Sequence, residues 1–378
     1  MNDPFFANRL GFGAMTAVCV GLSLGAMTGC DGGDGGGATG ASSGSTAGPS
    51  TDAEGDTPRF SLAWSEYPSW SVFGVADLYG MIDGDEGKLG PIEREHGVDL
   101  VLNETDYDTC ITLYATGEVD AVCITNMDIL NPAVSRPGVA ILPTSTSKGA
   151  DALIVAGIDS LEQLKGKSAY GLEASVSQYA FVRGLEENGQ DPGDFTFTNM
   201  DPAAAAQAMI TRQEGYDAIV VWNPFVLETL KQRPDAKVLF DSTAIPDEII
   251  DMVVMAQQSL DREGGERAAR AIADTFYQVS RKLEDPNDGD EALVALGSKF
   301  SSLGLEQMKK VVEQTDFYET PALGAELFTG PQIRDTMTKV MGFCRQYGIV
   351  EQAPAITYGD QGSPGLRFTA AYLQAEGR

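Results

Sequence analysis

The feature that most constrains this chain is an alternation. Between residues 59 and 256, short apolar runs rich in β-branched residues take turns with stretches of helical periodicity. Strands separated by helices are the signature of an α/β fold with mainly parallel sheets. Strands are predicted at 59–64 (RFSLAW), 99–103 (DLVLN), 119–125 (VDAVCIT), 139–143, 152–156, 168–172, 195–199, 218–222 (AIVVW) and 237–240. Helices are predicted at 70–80, 107–116, 175–188 and 203–212, with others opening near Asn126 and Ser160. A further helix starts at Pro224, because proline is tolerated in a first helical turn. The segment 249–256 (IIDMVVMA) leads back, and 259–348 is mostly helical.

The alternation resolves into two hinged lobes. Residues 58–147 and 252–378 form lobe 1, which includes the helical C-terminal region, and 148–251 form lobe 2. Extended segments near 143–155 and 241–256 join them. Ligands of such folds bind beyond the carboxyl ends of the strands, where helix N-termini point into the crevice. Lys148 and Asp151 flank the hinge and read as solvated, as does His96 in the polar REHGVD stretch.

Composition then removes whole classes of function. With 26 Lys+Arg against 55 Asp+Glu, a net charge of −29 disfavours nucleic acid and a polybasic hold on an anionic membrane. The lone histidine excludes a multi-His metal site, and any Ser-His-Asp triad that cannot recruit His96. The five cysteines contain no CxxC, so zinc and redox motifs are absent. The DGGDGGG and DPNDGDE runs lack the ligand spacing of a calcium loop. No catalytic residue, metal or cofactor is assigned, and the chain reads as a non-enzyme.

The first sixty residues read as address and tether. Residues 1–29 contain an uncharged apolar core and form a signal peptide; residues 30–57, small and polar, form a flexible linker. The junction Ala26-Met27-Thr28-Gly29-Cys30 resembles a bacterial lipobox, with Met27 where leucine is usual. It implies lipidation at Cys30 and a periplasmic or extracytoplasmic protein anchored to the cell membrane. Export would permit a Cys110–Cys123 disulfide, while their apolar surroundings equally suit buried free thiols.

Four strand-to-helix junctions carry the candidate site. They supply Trp64, Glu66, Tyr67 and Trp70; Thr125, Asn126 and Asp128; Glu173, Ser175 and Ser177; and Trp222 with Asn223. All three tryptophans of the chain lie there, rather than inside the apolar elements. The polar members include no Lys or Arg. Asp128 and Glu173 sit near helix starts, where a carboxylate can simply cap. They can equally pair with a guanidinium-like ligand, which facing indoles would attract by roughly 0.5–2 kcal/mol. Acids and aromatics together lean toward a small cation or a neutral nitrogen compound.

The segments 64–70, ITNMDIL, SLEQLKGKSAYGLEASVSQYAFVRGLEENG, IVVWNP and LFDSTAIPDEIIDMVV resemble the solute-binding proteins of nitrate/sulfonate/taurine-type ABC importers. Within that group they are most similar to the branch associated with urea carboxylase. The likeness covers about residues 58 to 275, and departs from the group in an acidic MIDGDEGKLGP insert. It implies a two-lobed periplasmic-binding-protein fold (type II), a monomer that delivers solute to ABC permease and ATPase subunits. The implied solute is small and nitrogenous, of guanidinium, urea or amine type. Sulfonate, taurine or nitrate is the alternative, and a pyrimidine-precursor binder or enzyme on the same fold is a remoter one.

Overall fold

The computed structural model describes residues 57–300, 303–361 and 365–373. The signal peptide, Cys30 and the linker lie outside the described residues. Two sheets organise the body. The first has eight strands in the order β12-β13-β4-β10-β3-β1-β2, with β11 pairing β4. These are β1 (Arg59–Trp64), β2 (Asp99–Glu104), β3 (Ala121–Thr125), β4 (Gly138–Ser147), β10 (Ile250–Ala256), β11 (Thr315–Phe317), β12 (Ala355–Tyr358) and β13 (Gly365–Phe368). The second sheet, β7-β6-β8-β5-β9, is built from the chain between β4 and β10. Its strands are β5 (Asp151–Ala156), β6 (Ser168–Gly171), β7 (Thr196–Asn199), β8 (Ala218–Trp222) and β9 (Ala236–Asp241).

The expected α/β, two-lobed architecture is therefore the observed one. Parallel pairs β1–β2, β1–β3, β6–β7 and β6–β8 form around helical crossovers. Every residue of β3, β4, β5, β8 and β10 is buried, which is why these strands read as near-continuous apolar runs. The exceptions inside those runs are the informative residues.

Helix positions follow local chemistry. The helix Tyr107–Thr116 starts where the Asp106 side chain accepts from the Thr109 N–H, and stops at Gly117 with φ +87°. Ser175 caps the helix Val176–Glu187 in the same manner, through the Ser177 N–H. Gly184 lets this helix lie directly on β9: a Cβ there would stand 2.1 Å from the Phe240 ring. The helical C-terminal region opens with Gly265–Leu283, whose alanine-rich face is buried.

Two departures from the expected elements have visible reasons. β4 runs on through Pro143 to Ser147, because the polar Thr-Ser-Thr-Ser stretch pairs with both β10 and β11. β11 falls within the 259–348 stretch expected to be mostly helical and forms by pairing with β4, while β12 and β13, beyond that stretch, add a parallel pair to the edge of the first sheet.

The two sheets are joined through the β4–β5 and β9–β10 connections, which are fastened side by side. Ser147 Oγ lies 2.7 Å from Ser242 Oγ, and Thr146 Oγ1 donates to the Ile249 carbonyl. Lys148 is exposed there and pairs with Asp316 at 3.6 Å, as expected of it. Asp151 is not solvated: it is 3% exposed, at the head of a fully buried strand. His96 is also less exposed than its polar neighbours suggest, with Nε2 3.4 Å from Asp274 Oδ2. Cys110, Cys123 and Cys344 are buried free thiols. Among the described residues no helix is long and apolar enough to cross a membrane, and no His/Cys/Asp/Glu group could hold a metal.

Candidate functional site

Between the sheets lies a narrow, partly open cavity lined by Tyr67, Trp70, Tyr107, Thr125, Asp151, Val176, Trp222, Ile249 and Asp251, with room in this conformation for little more than a water-sized group. Strand register explains why these residues meet. β1, β3 and β8 end at this level, delivering Tyr67 and Trp70, Thr125, and Trp222. β5 and β10 run antiparallel to their neighbours, so their first residues lie where β8 and β3 end. Asp151 pairs with Trp222, and Asp251 pairs with Thr125 and with Ser145.

Four rings form a continuous wall. Tyr67 and Trp70 have centroids 4.9 Å apart, Trp70 stacks on Tyr107 at 5.3 Å, and Tyr107 meets Trp222 edge-on at 5.7 Å. The Tyr67 hydroxyl faces Asp251 and Thr315 without reaching hydrogen-bond geometry with either, and Trp70 Nε1 is likewise buried and unpartnered. Such orphaned groups in a dry site are costly unless a ligand satisfies them.

Three carboxyl groups converge here. Asp128 Oδ2 accepts from the Tyr107 hydroxyl at 2.7 Å and from Thr125 Oγ1 at 2.9 Å, while Oδ1 has no partner. Its carboxyl also faces the Val176 N–H, at the start of a helix carried by the other sheet. Asp251 Oδ2 accepts from Ser145 Oγ at 2.7 Å. Burial pushes Asp128 up to about 6 against the pull of these donors, and Asp151 up to about 7. Burial, reinforced by the charges of Asp151 and Asp128, pushes Asp251 well above the carboxylate range. No Lys, Arg or His lines the cavity.

Outside the Tyr107–Trp222 pair is a larger recess, with an empty volume of about 600 Å³. Its lining includes the exposed acids Glu66, Asp106, Asp108 and Asp201, and it shares Tyr107 and Trp222 with the inner cavity. Burial and then the charge of Glu228 raise the Glu66 pKa.

The sequence-selected residues divide accordingly. Tyr67, Trp70, Thr125 and Trp222 line the inner cavity, Asp128 is bonded to two of its lining residues, and Glu66 lines the recess. Ser175 and Ser177 sit at the helix start beside Val176; Ser177 Oγ is buried and unpartnered. Trp64 is core: its ring lies where a Cβ on Gly74 would be. Asn126 clamps the returning strand, accepting from the Ile250 N–H and donating to the Glu248 carbonyl. Asn223 donates to Gln314 Oε1 at 3.0 Å. Glu173 is exposed and lines neither space; its backbone N–H donates to Asn199.

Sequence reasoning passed over Tyr107, Asp151 and Asp251. Tyr107 opens the helix after β2, a strand-to-helix junction of the same type as the four chosen. Asp251 had a signal too, being a lone acid inside the apolar IIDMVVM run.

No protein-family model and no curated protein matches the chain. Solved structures do. The periplasmic aliphatic sulphonate binding protein of Escherichia coli aligns with TM-score 0.62 and 15% identity, over 79% of this chain and 90% of that one. The alkanesulfonate-binding protein of Xanthomonas axonopodis pv. citri, bound to MOPS, gives 0.62 and 14%, over 78% and 94%. A Candida albicans protein described as having the generic periplasmic binding protein fold gives 0.56 and 14%, over 78% and 97%. This chain thus carries the periplasmic-binding-protein fold. At such identity the likeness extends to the fold alone.

Proposed function

We propose that the chain is the extracytoplasmic solute receptor of an ABC importer, tethered to the membrane by lipid on Cys30. It captures a small nitrogenous solute of guanidinium, urea or amine type between its lobes and hands it to a permease and its ATPase. The observation that carries this reading is the inner cavity: a wall of four rings, the carboxyls of Asp151 and Asp251 with Asp128 behind them, and no cationic side chain. Aromatic faces attract cations, carboxylates accept N–H donors, and no cationic side chain lines the cavity to hold an anion. Lobe closure on the solute would shift an open–closed equilibrium that the permease reads.

The sulfonates of the structural neighbours are the second reading. It has one observation in its favour: Trp70 Nε1 and the Ser177 hydroxyl are unpartnered donors near a helix N-terminus, groups an oxyanion could use. Titration calorimetry on the full chain separates the two. Guanidinium, methylguanidinium or urea should give heats that saturate, while nitrate and alkylsulfonates should not. Tight binding of a sulfonate alone would overturn the nitrogenous reading.

A further inference from the structure

We infer that Asp151 and Asp251 make the site selective for a monocation over neutral amides, and that it takes up this cation in exchange for a proton. The inference rests on the solute-receptor reading and narrows its ligand class. Asp251 belongs to β10 and Asp151 to β5, so each lobe's sheet contributes a carboxyl to the lining of one cavity. Asp151 is 3% exposed and Asp251 1%.

Every neighbour that could compensate their charge is neutral or acidic. Asp251 faces Ser145 on β4, Tyr67 after β1, Asp128 and Cys123 around β3, and Tyr318 after β11. Asp151 faces Ser147 on β4 and, again, Asp128. Three buried carboxyls this close, with no cationic side chain lining the cavity, cannot all remain ionised, since burial and mutual repulsion both favour the neutral forms. Asp128 Oδ1 and the Tyr67 hydroxyl, moreover, have no hydrogen-bonding partner within the protein.

A cation resolves both problems. As it enters, one protonated carboxyl gives its proton to solvent and becomes a carboxylate paired with the ligand. The pocket's net charge is unchanged, and no charge is left alone in the low dielectric. A neutral amide offers no such exchange: the acids stay protonated and the Coulombic gain is lost. Charge, rather than shape, is therefore the basis of selection. The ring wall supplies flat faces for a planar or N-methylated cation.

Calorimetry on the full chain tests this with guanidinium, which keeps its charge throughout the working range. Affinity should rise about tenfold per pH unit between about pH 5.5 and 7, the slope of one proton released per cation. At pH 7 the observed heat should differ between phosphate and Tris, as proton release requires. Urea should bind at least about a hundredfold more weakly. In Asp251→Asn the pH slope should flatten, and melting temperature should report whether that variant folds. A flat pH profile with buffer-independent heat in the wild-type chain would overturn the exchange while leaving the receptor reading intact. Urea binding as tightly as guanidinium would overturn the selectivity. Binding of an alkylsulfonate alone would overturn both the inference and the reading beneath it.

Discussion

At the residue scale the site is defined by acids placed where strands are otherwise apolar. Asp251 interrupts the hydrophobic run of β10, and Asp151 opens β5 with the same exposure pattern as a core valine. Each contributes to stability with a definite sign. A carboxyl whose folded pKa is raised contributes stability that is complete below its unfolded value, and loses it as pH rises through the folded one. For Asp128 and Asp151 that window runs from about 4 up to about 6 and 7. Glu248 runs the other way: despite burial, hydrogen bonds from Arg183, Tyr179 and Lys339 hold it down at about 2, so its contribution is lost as pH falls below about 4.5. The ligand-free chain should therefore melt highest near about pH 5 and lose stability by about pH 8, with guanidinium restoring it at the higher pH. Calorimetric melts across that range check this. Trp222 and Glu173 should also part company. Trp222→Ala removes a ring shared by both cavities and should weaken any ligand about tenfold or more. Glu173→Gln alters an exposed group and should change binding by less than about 1 kcal/mol.

At the element scale, much of the framework was legible. The predicted strand 218–222 and helix 107–116 coincide with the observed β8 and Tyr107–Thr116, since apolar runs, an Asp cap and a C-terminal glycine are local signals. The tail of β4 was not legible, because Thr-Ser-Thr-Ser has turn composition and becomes strand only through pairing with β10 and β11. Nor was the seam centred on Glu248. This residue is 4% exposed just ahead of β10 and gathers Arg183 and Tyr179 from one helix and Lys339 from Gln332–Gln346. Its partners come from distant parts of the sequence, so no spacing announces them. Glu248→Gln removes the buried carboxylate shared by Arg183, Tyr179 and Lys339, while Arg183 keeps Glu186 and Glu187, and should cost on the order of 1–2 kcal/mol, measurable by urea unfolding. A variant of wild-type stability would show that the seam carries little.

At the scale of the whole molecule, the acid excess has a direction. The recess outside the ring wall gathers Glu66, Asp106, Asp108 and Asp201 above a cavity that itself holds acids. A low-dielectric cleft lined by one sign of charge focuses its field on incoming ions. Stopped-flow association of a cationic ligand should therefore slow several-fold as ionic strength rises from about 0.01 to about 0.2 M, while a neutral ligand is unaffected. Equal salt dependence for both would show that the recess does not steer. The overall design follows from its hinge. Asp151 and Ile249, where the two inter-sheet connections end, line the cavity, so a motion of one sheet against the other would change the spacing between Asp151 and Asp251. By itself the sequence determined the alternating α/β architecture of the periplasmic-binding-protein type, and the strand ends whose aromatic side chains gather around the cavity. Those are consequences of local periodicity, caps and turns. Only the tertiary structure decided which acids line the cavity. Antiparallel strands β5 and β10 bring their first residues to the carboxyl ends of β8 and β3, a matter of register between segments far apart in the chain. The same register turned Trp64 into core and left Glu173 in solvent, while drawing Asp151 and Asp251 inward.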